Sequence, residues 1–129
     1  MATDRIVRTY ALRGAIFFGA YVTINVAAIT GAFDGLRPPG TYVLALAVAA
    51  PVVGHIWAML DLMRRADEYL RALYAKAFIV AAGLAFALWT GWGFVEAYAD
   101  APHLQGWLIY PLFWGLYGLV TPFVLRGAR

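Results

Sequence analysis

The chain has 129 residues, 64% hydrophobic and 13% charged, with a net charge of +3 and no cysteine. A soluble domain carries about 25% charged residues and about half apolar ones, so this balance points to a membrane protein, and the length to a single domain. The missing cysteines exclude disulfide frameworks, thiol relays, Cys nucleophiles and Cys metal sites; the cations sit scattered at segment ends, not in the patch that nucleic acid would need.

A membrane span needs about 20 mostly apolar residues. The first such run covers residues 14–33 and carries Tyr21, Thr23, Asn25 and Thr30. It ends in "GAFDGLRPPG" without a small-x-small cleavage site, so no cleavable signal peptide is expected. Pro38, Pro39 and Gly40 punctuate the loop that follows. The second run covers residues 41–60 and holds Pro51, Gly54 and His55. Next comes a charged island, "DLMRRADEYLRALYAK", residues 61–76, with seven charged side chains. The third run covers residues 75–95, the loop "EAYADAPHLQ" follows, and the fourth covers residues 106–125. The expected fold is all-α, a four-helix transmembrane bundle. No internal repeat is evident beyond a weak likeness of "GWGF" to "FWGLYG".

Lysine and arginine concentrate in cytoplasmic loops. One side would hold Arg5, Arg8, Arg13, Arg64, Arg65, Arg71, Lys76, Arg126 and Arg129, and the other only Arg37. Both termini and the island are therefore expected in the cytoplasm, with Asp34, Glu96 and Asp100 outside. The island allows two readings. Its apolar residues share one arc of a helical wheel, which suits a single helix lying flat on the membrane. The order of its charges suits a hairpin better. Arg64 and Arg65 would end helix two, and Asp67 would cap helix three with Glu68 behind it, each matching the helix dipole. Helix three would run from residue 68 to about 98, roughly 46 Å against a hydrocarbon core of about 30 Å, and so extend into the cytoplasm. Asp61–Arg65, Arg64–Glu68 and Asp67–Arg71 stand at four-residue spacing. Together with Arg64, Arg65 and Arg71, the acids Asp67 and Glu68 form a face for topology and for docking a cytoplasmic partner.

His55 is the one histidine at membrane depth, where an ionisable residue is a functional candidate. It could relay protons, ligate a pigment or haem, or contact a substrate; it could equally be a neutral imidazole bonded to a neighbouring helix. Depths counted at 1.5 Å per residue place His55 about 9 Å in, and Tyr21 and Tyr117 about 12 Å. Asn25 comes at about 18 Å, near Thr90 and Tyr110 at about 21–22 Å. Two polar levels follow: His55 with Tyr21 or Tyr117, and Asn25 with Thr90 or Tyr110. Such interhelical hydrogen bonds are common glue. His55 and His103 lie at opposite faces, so one chain cannot supply two axial haem ligands at one level. No cluster has metal-ligand spacing, and Thr23, Thr30, Thr90 and Thr121 have no carboxylate beside them. Glu96, Asp100 and His103 could bind a cation or work as an acid–base pair, or be a solvated loop. Trp89, Trp92, Trp107, Tyr110 and Trp114 suit an interfacial belt or an aromatic cleft for a lipid, quinone or carotenoid. Gly83, Ala87, Gly91, Gly115 and Gly118 suit close helix packing, within the chain or between copies.

"RRADEYLRAL", "WGFVEAY" and "YPLFWGLYGL" resemble a family of small bacterial four-span membrane proteins of unknown function, from Arg64 onward. The resemblance implies four spans in a bacterial inner membrane and transfers no activity. Better-known four-span families fit badly. Small multidrug pumps need an acid in helix one, quinone-linked thiol oxidases need cysteines, and small fluoride channels tend to insert both ways. The function expected is therefore a non-catalytic accessory or scaffolding subunit, without a dedicated cofactor. Membrane lipid, further copies of the chain or a larger membrane complex would be its partners. The alternatives are a small transporter or proton-coupled channel using His55 and Asn25, and a binder of an apolar cofactor, pigment or lipid between helices three and four.

Overall fold

The computed structural model describes residues 2–128; Arg129, counted among the cations above, lies outside them. Four long helices follow one another: α1 (Ala2–Ile29), α2 (Gly40–Arg65), α3 (Glu68–Ala99) and α4 (Ile109–Gly127). A 3₁₀ turn, Gly106–Leu108, leads into α4. There is no strand among the described residues, and all four helices are long and apolar enough to cross a membrane.

The boundaries have local causes. α1 starts twelve residues before the apolar run at Gly14, because nothing in "ATDRIVRTYALR" breaks a helix and Asp4 complements the dipole of its first turn. It stops at Ile29 because Gly31 takes φ 86°. The Gly31 N–H donates to the Ala28 carbonyl at 3.2 Å, and the Ala32 N–H to the Ala27 carbonyl at 3.0 Å. That pair of reversed bonds is a Schellman stop, which needs a residue tolerant of the left-handed region.

The charged island is two helix ends. α2 stops at Arg65, and Ala66 is extended. Asp67 then caps α3, its carboxylate accepting from the Leu70 N–H at 2.7 Å, with Glu68 in the first turn. Arg64 and Arg65 occupy the last turn of α2. A single continuous flat helix is therefore excluded. At the far end of α3, Asp100 adopts φ 53° and turns the chain out of the helix. α4 tolerates Pro111 in its first turn, where the missing N–H has no helical partner anyway.

The chain divides into two compact units, one up to Ala66 and one from Asp67. In the first, α1 packs on α2; in the second, α3 packs on α4. Each pair is antiparallel. Tyr10 near the start of α1 meets His55 late in α2, and Tyr69 at the start of α3 meets Ala128 at the end of α4.

Small residues allow close packing at different places from those expected. Ala77, Ala81 and Ala85 form a buried stripe on α3, at 1% exposure or less. Gly83, Ala87, Gly91, Gly115 and Gly118 are exposed, and a Cβ on any of the four glycines would meet nothing within 4 Å. They do not serve packing between α3 and α4.

Candidate functional site

In the first unit, the Phe17 ring of α1 lies against Gly54 of α2. A Cβ built there would lie 2.7 Å from Cδ1 and 2.8 Å from Cζ of Phe17. One residue on, His55 is 2% exposed. Its Nε2 is 3.2 Å from the Tyr10 hydroxyl, and the two rings stack at 6.0 Å between centroids. A neutral imidazole can either accept the Tyr10 proton at Nε2 or donate to the phenol oxygen.

Farther along α2, Asp61 accepts from Arg13 Nη1 at 2.5 Å and from Arg65 Nε at 3.1 Å. The Arg13 guanidinium also stands 4.8 Å over the Trp57 ring, a cation–π contact. The Asp61–Arg65 pair at four-residue spacing is thus formed, and Arg13 joins it from the other helix. The space enclosed beside Tyr10, Arg13, Asp61 and Leu62 is about 10 Å³. That is about the minimum for one water molecule and far too small for a solute.

His55 meets Tyr10, which lies four residues before the apolar run that begins at Gly14. Tyr10, Gly14 and Tyr21 are the buried residues of α1; their helical spacing, carried back past Gly14, would have found it. Tyr21 is buried at 4%. Asn25 donates to the Tyr21 backbone carbonyl at 2.8 Å. Thr23, Thr30 and Thr121 likewise donate to the carbonyls of Gly19, Val26 and Tyr117. These side chains close on their own helices, as Ser and Thr do when no other acceptor is near. Tyr117 and Thr90 belong to the second unit.

The aromatic residues of the second unit divide into two groups. Tyr110 and Trp114 pack edge-on, Trp114 packs on Tyr117, and Phe78 and Phe113 complete the cluster with centroids 5.1 Å apart. Trp89 and Trp92 instead line an open groove of about 510 Å³ at the end of α3, beside Thr90, Glu96, His103 and Leu104. Trp107 is 42% exposed. Glu96 there accepts from His103 Nδ1 at 2.9 Å and from the Leu104 N–H at 2.8 Å. The carboxylate thus clips the loop after α3 back onto its helix. No group of three or more His, Cys, Asp or Glu suited to a metal ion occurs among the described residues.

Arg64, Asp67, Glu68 and Arg71 are all exposed around the break between α2 and α3. No protein-family model matches the chain, and no curated protein or solved structure is significantly similar to it.

Proposed function

We propose that the protein is a non-catalytic accessory or scaffolding subunit of a bacterial inner-membrane assembly, built as a four-helix bundle with both termini in the cytoplasm. The observation that carries this reading is the state of His55. The one histidine at membrane depth sits 2% exposed against Tyr10, and the space that Tyr10 lines with Arg13 and Asp61 is only about 10 Å³. A relay or transport site needs access from at least one side, whereas a hydrogen bond between packed helices needs none; such bonds contribute about 0.6–2 kcal/mol. Asn25, the other candidate for a polar path, is bonded to its own helix.

The outward faces support the rest. Ile16, Leu46, Ile79 and Phe123 are each more than 65% exposed, together with many other large apolar side chains. Exposed apolar area on this scale suits lipid or partner helices. The exposed glycines of α3 and α4 would let a second copy or a larger subunit approach closely. The resemblance to small four-span bacterial proteins agrees with this and adds no activity.

The test has two arms. Protein purified in mild detergent is expected to carry a stoichiometric partner chain or to self-associate. In liposomes, ion or solute flux is expected to equal that of empty vesicles. Flux that the wild-type chain supports and that folded His55→Ala lacks would replace this reading with transport.

A further inference from the structure

The second unit carries a second groove, at the opposite end of α3 from the tryptophans. Leu73, Lys76 and Val80 line it from α3, and Val120, Phe123 and Val124 from α4. Its volume is about 470 Å³. Each wall is a helical stripe at spacings of three and four residues. Phe123 is 73% exposed and Val80 39%, so the apolar walls face outward. Gly127 leaves the end of the α4 wall bare, and Tyr69 closes that end by donating its hydroxyl to the Ala128 carbonyl at 2.8 Å.

The one charged residue in this apolar lining is Lys76. It stands eight residues into α3, about 12 Å from the helix start. Lys76 thus falls at the start of the third apolar run, where a lysine keeps its stem on apolar surface and its ammonium at the headgroup level. Arg126 lies in the last turn of α4, at the same end of the pair. The cation-rich ends of membrane helices face the leaflet that holds anionic lipid.

We propose that this groove is a binding site for one anionic phospholipid. An acyl chain would lie along Val80, Val120, Phe123 and Val124, and the headgroup phosphate would meet Lys76. Charge complementarity selects this occupant over a partner helix, because an apolar helix filling the groove would cover the lysine stem and offer its ammonium no anion. The proposal rests on the membrane reading and not on the accessory role, so its failure leaves that role standing.

The experiment uses the full chain, delipidated in detergent, and native mass spectrometry with equimolar phosphatidylglycerol and phosphatidylcholine of identical chains. The expected result is saturable retention of one phosphatidylglycerol per chain in preference to phosphatidylcholine. Lys76→Gln should weaken it about five-fold, the effect of one cation near a lipid surface, and Lys76→Arg should keep it. Val124→Trp, which fills the groove, should weaken retention of both lipids. Equal, non-saturating retention of the two headgroups would overturn the proposal, as would Lys76→Gln binding like wild type. Helicity and melting temperature are read for each variant; if Val124→Trp fails to fold, the exposed Lys76 pair decides.

Discussion

Gly54 and Gly83 occupy helices of similar apolar character, yet the two sites ask for opposite outcomes on replacement by alanine. Alanine is favoured over glycine inside a helix by about 1 kcal/mol. At Gly83 the new methyl meets nothing within 4 Å, so Gly83→Ala should raise the melting temperature in detergent. At Gly54 it lands inside contact distance of the Phe17 ring. Overpacking of that kind costs about 1–3 kcal/mol, enough to cancel the helix gain and reverse its sign. Gly54→Ala should therefore melt lower than wild type, and Phe17→Leu in the same chain should recover part of the loss. A Gly54→Ala variant as stable as Gly83→Ala would mean that the Phe17 ring does not lie against Gly54.

The break between α2 and α3 rests on Asp67 at the level of the element. Its carboxylate takes the Leu70 N–H, one of the four donors that a helix start leaves without a helical acceptor. Asp67→Ala should cost about 0.5–2 kcal/mol, and Asp67→Ser much less. Amide exchange at Leu70 reads this directly: protection should fall in the alanine variant and persist in the serine one. The cap was legible in the sequence, because two arginines followed by Asp and Glu match the dipoles of an ending and a starting helix. The four apolar runs were legible for a similar reason, since length and hydropathy are linear properties of the chain. Pairings between helices were not. The hydropathy of the first run located its apolar centre and missed its start at Ala2, and so missed Tyr10 as the partner of His55. Arg13 and Asp61 were counted as boundary charges, although they bond each other. On α3, small residues occur on several faces, and spacing alone could not show that Ala77, Ala81 and Ala85 would be the buried ones.

At the scale of the whole molecule, the strongest untested signal is the distribution of cations: under the proposed topology nine fall on the cytoplasmic side and Arg37 alone on the other. The first three helices span 28, 26 and 32 residues, about 39–48 Å at 1.5 Å per residue, against roughly 30 Å of hydrocarbon. Helices of that length crossing the membrane would carry their ends into the aqueous phases, where a reagent can find them. The chain has no cysteine, so single replacements give a clean readout. Ala2→Cys, Ala72→Cys and Gly127→Cys lie at exposed positions on the side assigned to the cytoplasm, and Gly35→Cys and Gln105→Cys at exposed positions on the other. None removes a charge, so none disturbs the bias under test. A membrane-impermeant maleimide applied to intact cells should label Gly35→Cys and Gln105→Cys, and should reach the other three only after permeabilisation. Labelling of Ala72→Cys from outside would reverse the orientation. Partial labelling at all five positions would mean that the chain inserts both ways, which a nine-to-one asymmetry opposes. A label pattern with one odd span, such as Gly35→Cys and Ala2→Cys on the same side, would show that α1 lies along the membrane instead of crossing it.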